Sequence, residues 1–492
     1  MPDLDTPSDL SSIEIPEEPS LYDEPWSWRK LKAILRQFGP AAIIASVSIG
    51  AGETILVVRA GAWAGYDLLW LVLLSCLSKG IFVIYLLGRY TAISGEHVGQ
   101  GLARLPGPRG WLLLLIVVIG MISTPMGFTG VAKPWGDLAY FLLEDVLSDF
   151  GSRFFWQNLF TTGFMLSAVM IVLRQSFAAL EKQQIAICGV LVLGTILGTL
   201  LVWPDLMLTV KGSFSFGRLP DFPSWAPEDA VRHPLLTMAT LFSFVGTGAF
   251  GYLAYSSWVG LHGWGLTGHK QIDLIRDRAP QRDRIDYLPE DLGQIRRLRR
   301  LSLPLKWDIG MGAVVLCVVT VAFMVSGAAV LYPLKREFHG WNLLTHQADV
   351  WKNIHPGLIW VYYVAVTVAL WGTLQATLEI FGRVTRDFFN AVWPEREWEY
   401  DSFKKFFGFY IFIIAMILVW GDVSFDVLSQ ISGFLNGNLG ITLIMAAALY
   451  LNFKLPRGYR TRLPIVFGAI ATNIIMIFFA AISAWGLYNK ML

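Results

Sequence analysis

The sequence reads Ser48-Ile49-Gly50-Ala51-Gly52-Glu53-Thr54 in the middle of its first long apolar run, and Val245-Gly246-Thr247-Gly248-Ala249-Phe250-Gly251-Tyr252 in the middle of its sixth. A glycine inside a helix costs about 1 kcal/mol relative to alanine, because it lacks the Cβ atom that restricts the backbone. Two glycine clusters therefore predict two helices that are interrupted near their middle, at 50–52 and 246–251. The alternative is that these small residues only allow neighbouring helices to cross closely.

The composition is that of a polytopic membrane protein. Hydrophobic residues make up 54% of the 492 residues and charged residues 15%, whereas soluble domains have about 25% charged residues. A spanning helix needs about 20 mostly apolar residues. Runs of this kind cover 39–64, 67–88, 110–132, 155–174, 183–203, 235–260, 304–332, 355–382, 403–420, 425–452 and 463–488. We therefore predict an all-α bundle of about eleven spans whose partner is the lipid bilayer; a net charge of +2 argues against a nucleic-acid partner.

The charges divide the chain and orient it. Residues 1–37 are predicted to comprise a disordered acidic tail and an interfacial basic segment, and 38–492 to form the transmembrane transporter domain. Lys and Arg number 27 in the segments on the N-terminal side of the spans, including the 261–303 loop, and 9 on the other side. Because such residues accumulate in cytoplasmic loops, this asymmetry predicts a plasma (inner) membrane protein with a cytoplasmic N-terminus.

The two predicted breaks lie in the first and sixth spans. Equivalent breaks five spans apart are typical of inverted-repeat transporters, in which unwound backbone and half-helix ends form the substrate site. Glu53 lies at the first break, and an ionisable group at that depth usually marks a functional site. The alternative for Glu53 is a capping role, because an acid is favourable at the positive end of the half-helix that follows.

Several stretches resemble the Nramp divalent-metal transporters, and the resemblance extends from about 39 to 488. It rests on Gly39-Pro40, the Gly50-Ala51-Gly52-Glu53 break, Arg59-Ala60-Gly61-Ala62-Trp63-Ala64-Gly65-Tyr66-Asp67-Leu68-Leu69-Trp70, Ala92-Ile93-Ser94-Gly95 and Ser429-Gln430. The resemblance implies the LeuT-type fold, with a 5+5 inverted repeat, one extra helix, and broken first and sixth spans. It also implies secondary transport by alternating access.

The chain departs from the Nramp pattern at the positions that carry that family's chemistry. Gly50 stands for the metal-binding Asp of span one, and Glu53 for its Asn. In span six, an Ala, a Met, a Pro and a His of the family are replaced by Thr247, Phe250, Gly251 and Tyr252. Pro125 and Phe128 replace the acids of the proton route, while Gln430 is retained. Without the thioether, the resemblance implies an all-oxygen site for a hard cation of the Mg or Mn class.

The predicted substrate site joins the two breaks to span ten. Its residues are Gly50, Gly52, Glu53, Thr247, Phe250, Gly251, Tyr252, Gln430 and Asn436. Glu53 and Gln430 are the predicted metal ligands. Asn436-Gly437-Asn438 is either a third break that supplies amide oxygens or a kink.

Two further charged residues lie within the apolar runs. Lys79 is predicted to pair with Glu53 or with Glu379, as a coupling or ion-pair residue. Glu379 also lies four residues from Gln375 and from Arg383, so a structural Glu379–Arg383 salt bridge is the alternative.

The sequence leaves three functions open. The leading one is a transporter of a hard divalent metal ion. The second is a LeuT-fold transporter of a small organic solute such as an amino acid, with Phe250 and Tyr252 in the pocket, and the third is a membrane sensor without transport. No soluble-enzyme signature is present, and the chain has no phosphate-binding loop, so direct driving by ATP is not expected. We predict no enzymatic activity and no cofactor, with a divalent metal ion as substrate. Cys76, Cys188 and Cys317 lie in apolar runs and are predicted to be buried hydrophobic side chains.

Overall fold

The structure, a computed structural model, describes residues 13–17, 20–279, 285–335, 343–396 and 398–491. Within these ranges all regular structure is helical. Ten helices are long and apolar enough to cross a membrane, and a bent helix pair at 40–64 makes an eleventh span. The predicted all-α architecture and number of spans are confirmed.

The spans are numbered in chain order. They cover Pro40–Ser48 with Gly52–Ala64, Leu69–Ser94, Trp111–Phe150, Arg153–Val172, Phe177–Leu201, Pro234–Phe244 with Ala249–Leu261, Leu303–Ser326, Leu358–Val392, Tyr400–Trp420, Phe425–Lys454 and Leu463–Lys490. Shorter helices cover Trp28–Leu35, Val98–Ala103, Leu206–Ser213, Glu228–Arg232, Ile272–Arg278, Leu292–Leu301 and Leu343–Ile354.

Span one is interrupted where the first glycine cluster predicts. Its two parts, Pro40–Ser48 and Gly52–Ala64, are bent by 41°, and Gly50 has a non-helical ψ of −120°. A Cβ atom on Gly52 would lie 2.4 Å from the carbonyl oxygen of Phe244, at the end of the first half of span six. The two interrupted spans therefore touch at their breaks, and only glycine fits at this contact.

Span six is interrupted between Phe244 and Ala249. Gly246 has φ +85°, a conformation that side chains other than glycine's rarely adopt. The break is shorter than predicted, because the helix resumes at Ala249. Phe250, Gly251 and Tyr252 thus belong to the first turn of the second half-helix.

Widened, π-helical turns occur in three other spans: one at Gly327–Leu331 continues span seven, and the remaining two lie in spans ten and two. The turn of span ten covers Gly433–Leu439, so the predicted third break is a local bulge in a continuous helix. The turn of span two covers Ser78–Val83. Such turns often occur at functional sites, and those of spans ten and two contain Asn436 and Lys79.

Span three is longer than the sequence predicts. The predicted end at residue 132 precedes Lys133 and Pro134, but the helix Trp111–Leu147 continues through both. The ammonium group of Lys133 lies 2.7 Å from a carboxylate oxygen of Asp422. This ion pair allows the helix to continue past the charge.

Spans one, two and six are central, and spans four, five, nine and eleven are peripheral. The most apolar window of span six is 78% buried, against 22% for span eleven. Spans one and seven cross closely: Cβ atoms on Gly61 and Gly327 would lie 2.2 and 2.4 Å from carbonyl oxygens of the other span. Small residues at such crossings are typical of membrane bundles.

The part of the N-terminal tail that the structure describes is packed, which differs from the predicted disorder. Ile13 and Ile15 are 2% and 1% exposed, and the Ile15 amide donates to Oε1 of Gln294 at 2.8 Å. Asp23 accepts two hydrogen bonds from Arg300, at 2.8 and 2.9 Å. We call this side of the bundle the N-terminal face. Residues 1–12 and 18–19 lie outside the described ranges.

Candidate functional site

A cavity of about 130 Å³ lies between the two breaks and spans three, eight and ten; we call it the central cavity. Its described lining comprises the polar side chains of Ser48, Ser123, Thr124, Thr247, Thr373, Thr377, Ser432 and Asn436, the rings of Phe128, Phe244, Phe250 and Phe381, and the smaller or aliphatic residues Val47, Gly52, Gly127, Val131, Gly246, Gly248, Gly251 and Ile380. None of these side chains carries a formal charge.

Five of the seven hydroxyl groups that line the central cavity, those of Ser48, Ser123, Thr373, Thr377 and Ser432, donate their protons to backbone carbonyls. Ser123 donates to the carbonyl of Ile119 at 2.8 Å, and Ser432 donates to that of Ser123 at 3.1 Å. Thr373 and Thr377 donate to the carbonyls four residues earlier, at 3.0 and 2.8 Å. A hydroxyl has one proton and two acceptor lone pairs, so the lone pairs remain for a ligand. The cavity is therefore rich in acceptors and suits a cation or a hydrogen-bond donor.

Asn436 adds an amide to this wall. Its Oδ1 atom is buried and has no hydrogen-bond partner among the described residues. A Cβ atom on Gly248 would lie 2.2 Å from Asn436 Nδ2, so the glycine of one break makes room for this amide. An unsatisfied buried acceptor costs about 1–3 kcal/mol, and a ligand that bound it would recover that free energy.

Aromatic rings form another part of the wall. Phe250 stacks on Phe381 with ring centroids 4.7 Å apart, and Phe128 is 1% exposed. A Cβ atom on Gly120 would lie 2.2 Å from the Phe250 ring, so span three approaches the second half of span six closely. These rings give a ligand apolar contacts beside the polar side chains of the same cavity.

Glu53 is fully buried, but it does not line the central cavity. Its Oε1 atom accepts a hydrogen bond from the amide of Gly246 at 3.1 Å, while Oε2 has no partner in the described part of the chain. Tyr252 lies on the same side: a Cβ atom on Gly246 would be 2.7 Å from its hydroxyl. Glu53 therefore supports the break of span six from outside the cavity.

Lys79 does not form the predicted ion pair. Its ammonium group donates to the carbonyls of Phe242 and Ser243, at 2.6 and 3.0 Å. Among the described residues, no carboxylate forms an ion pair with the Lys79 ammonium group within 4 Å. These carbonyls end the first half of span six, where a cation interacts favourably with the helix dipole. Lys79 caps a half-helix instead of coupling to an acid.

Glu379 lies in a separate cluster towards the N-terminal face. Its Oε1 atom accepts hydrogen bonds from Arg383 at 2.6 and 3.0 Å, and its Oε2 atom accepts one from the Tyr400 hydroxyl. The predicted structural salt bridge four residues along the helix is confirmed. The predicted pairing of Glu379 with Lys79 is wrong, because Glu379 is bound by Arg383 and Tyr400 while Lys79 donates to backbone carbonyls of span six.

Gln430 lies in a second, smaller cavity on the face opposite the N-terminal face. Its amide donates to Asp229 at 2.8 Å, and it accepts a hydrogen bond from Lys490 at 3.0 Å. Burial raises the pKa of Asp229, but the hydrogen bonds from Lys490 and Gln430 outweigh it, so its pKa lies below the usual value. Arg59 and Asp426 form an ion pair in the same cavity, at 2.8 Å.

The structure brings together five of the nine predicted substrate-site residues. Gly52, Thr247, Phe250, Gly251 and Asn436 line the central cavity, whereas Gly50, Glu53, Tyr252 and Gln430 do not. The Gly50 carbonyl accepts a hydrogen bond from the Thr54 hydroxyl. Glu53 and Gln430 lie in different places, so the structure does not support a metal ion held by both. Nor do the described residues contain a group of three or more His, Cys, Asp or Glu side chains placed to hold a metal ion.

Asp308 of span seven is a buried acid that the sequence analysis missed. Its Oδ1 accepts the Gly39 amide at 2.9 Å, and its Oδ2 accepts the Ala41 amide at 3.0 Å and the Tyr255 hydroxyl at 2.9 Å. These donors connect the N-terminal end of span one to span six through span seven. An acid inside the apolar run at 304–332 was a usable signal for this residue.

Comparison with known proteins gives one sequence relative and many similar folds. No family model matches the chain. The divalent metal cation transporter MntH of Chromohalobacter salexigens is 30% identical over 149 residues, which are 30% of this chain and 33% of that protein. The match therefore spans about a third of the relative's length.

Two solved structures show the fold. The manganese transporter of Eremococcus coleocola, in complex with an aromatic bis-isothiourea substituted compound, matches with a TM-score of 0.63 and 14% identity over 97% of this chain and 90% of that one. A nucleobase-cation-symport-1 family transporter, closed with bromovinylhydantoin bound, matches with a TM-score of 0.52 and 13% identity over 92% and 93%. The chain has the LeuT-type fold, and its predicted resemblance to the Nramp transporters is confirmed.

Proposed function

We propose that this protein is a secondary transporter that moves a hard divalent cation, of the Mg or Mn class, across the plasma membrane by alternating access. The observation that carries the proposal is the acceptor-rich wall of the central cavity. Hydroxyl groups whose protons are already used, and an unsatisfied amide oxygen, offer the oxygen ligands that Mg²⁺ and Mn²⁺ prefer. The sequence relative and the fold support the same substrate class.

The neutral lining bears on how the ion would bind. Mg²⁺ gives up its water reluctantly and usually keeps several water ligands. A cavity of about 130 Å³ has room for an ion together with several waters. We therefore propose that Ser123, Thr373, Thr377, Ser432 and Asn436 contact a partly hydrated ion. No soft ligand is needed for such a complex.

The direct test compares two asparagines of the same helix turn. Asn436 lies in the cavity wall, whereas Asn438 donates to the Ala239 carbonyl and to Ser483, at 3.2 and 2.8 Å. Binding of Mn²⁺ and Mg²⁺ to the purified protein is measured by thermal shift, since a ligand of the folded state raises its stability. Asn436→Ala is expected to weaken binding about ten-fold, because one buried ligand is lost.

Asn438→Ala is the control, and it is expected to lower the melting temperature while leaving affinity unchanged. Equal affinities of both variants and the wild type would contradict the assignment of the cavity. A lack of response to either ion, with a response to amino acids, would favour the organic-solute transporter. The aromatic wall of Phe128, Phe250 and Phe381 supports that second candidate. Binding without counterflow in liposomes would favour a sensor.

The orientation is part of the proposal. The Lys and Arg count, 27 against 9, supports a cytoplasmic N-terminal face. A cysteine placed at Lys270 is expected to resist a membrane-impermeant thiol reagent in intact cells and to react once the membrane is opened. Reaction in intact cells would reverse the assignment.

A further inference from the structure

An apolar groove of about 280 Å³ separates span five from spans seven and eight on the outside of the bundle; we call it the lateral groove. Its described lining comprises Thr54, Val58, Val190, Leu191, Gly194, Thr195, Leu197, Gly198, Leu201, Ala322, Phe323, Ser326, Gln347, Trp351, Leu358, Val361, Tyr362, Ala365 and Val366. None of these side chains is charged. The groove is separate from the central cavity, and the proposed function does not use it.

The rim of the lateral groove belongs to the lipid-facing surface. Val190, Leu197 and Val361 are 60%, 58% and 59% exposed, and their spans are long enough to cross the membrane. In a bilayer, such side chains meet acyl chains instead of water. The rim of the groove is therefore accessible to the acyl chains of the bilayer.

The polar groups at the inner end of the groove are already satisfied. Gln347 donates to the Thr54 carbonyl of span one and accepts a hydrogen bond from Tyr362 at 3.1 Å. With these bonds made, the inner end offers little to a polar ligand. Because burial of unpaired polar groups is costly, the groove favours an apolar occupant.

We infer that the lateral groove binds one acyl chain of a bilayer lipid, and that this chain packs beside Gln347, which supports the backbone of span one just after its break. The inference rests on the groove alone and stands whichever substrate the protein carries.

Two glycines of span five allow a matched test. A Cβ atom on either Gly194 or Gly189 would have nothing within 4 Å, so a side chain can start at both sites without a clash. Gly194 lines the groove and Gly189 does not. Gly194→Phe is therefore expected to fill the groove, and Gly189→Phe to add a ring to the outer surface. Gly194→Leu is a smaller filling variant, in case the ring at 194 impairs folding.

The full-length protein is reconstituted in phosphatidylcholine vesicles that contain a tracer phosphatidylcholine with a diazirine on one acyl chain. After illumination, adducts are located by peptide mass spectrometry. We expect adducts enriched on Leu197 and Val361 in the wild type and in Gly189→Phe, and reduced at least five-fold in Gly194→Phe and Gly194→Leu. Equal yields on these residues in all four proteins would overturn the inference. So would a wild-type yield no higher than that on Phe478 of span eleven, which is 59% exposed and lines neither the lateral groove nor the central cavity.

Discussion

Asp308→Asn is the substitution that best tests how the N-terminal end of span one is held. The carboxylate accepts hydrogen bonds from Gly39, Ala41 and Tyr255, at 2.9, 3.0 and 2.9 Å. Two of these donors are backbone amides at the start of span one, where a negative charge also interacts favourably with the helix dipole. The variant removes the charge and turns one acceptor into a donor.

The expected loss of free energy in Asp308→Asn follows from the hydrogen bonds that the variant loses. Hydrogen bonds to a charged group contribute about 1.5–3 kcal/mol each, and neutral ones about 1 kcal/mol. Three charge-assisted bonds are replaced by at most two neutral ones, and relief from burying a charge offsets part of the loss. We expect a net loss of about 3 kcal/mol, or a hundred-fold change in the equilibrium for release of this end. Tyr255→Phe removes one donor and should cost about 1 kcal/mol.

The assay follows the accessibility of the central cavity. Val47 lines the cavity in the first half of span one, and Val47→Cys reports its opening when Cys317, which is half-buried, is replaced by serine. We expect the rate of thiol labelling from the N-terminal face to rise about a hundred-fold in Asp308→Asn and less than ten-fold in Tyr255→Phe. Unchanged labelling together with a lower melting temperature would show that Asp308 stabilises every state equally and would refute the reasoning.

Three further substitutions probe the breaks. Glu53→Gln keeps an oxygen for the Gly246 amide, so ion affinity should fall less than ten-fold in a binding titration, as expected for an indirect support; a fall of a hundred-fold would place the carboxylate on the ion. Lys79→Met should lower stability by about 2 kcal/mol in thermal melting, because two carbonyls lose a charged donor; an unchanged melting temperature would argue against the cap. Gly52→Ala places a Cβ atom 2.4 Å from the Phe244 carbonyl and should reduce stability by about 1–3 kcal/mol in thermal melting. An unchanged melting temperature would show that the two breaks can separate without cost.

The fold was predictable because its signals are local. Apolar runs of about 20 residues define spans, and glycine clusters define breaks wherever a backbone must leave the helical region. Gly50 and Gly246 both do so. The end of span three was not predictable from hydropathy, since it depends on Asp422, distant in sequence, reaching Lys133.

The site was only partly predictable, because the sequence does not give the direction in which side chains point after a break in a helix. The sequence places Glu53 at the break of span one but does not give its direction, and the structure turns it away from the central cavity. Gln430 followed from the resemblance alone, and its neighbours Asp229 and Lys490 come from other segments. Thr373 and Thr377 carried no signal, because threonines that bond the carbonyl four residues earlier are common in apolar helices.

The π-helical turns of spans two and ten carry a consequence for sequence comparison. Each amounts to one residue inserted into an otherwise regular helix. Removing one residue from the part of Gly433–Leu439 that precedes Asn436 would close the bulge and rotate the residues that follow by about 100°, which would carry Asn436 away from the cavity wall. Relatives without this extra residue must present a different side chain at the same place, so an ungapped alignment of span ten would compare residues that do not occupy equivalent positions.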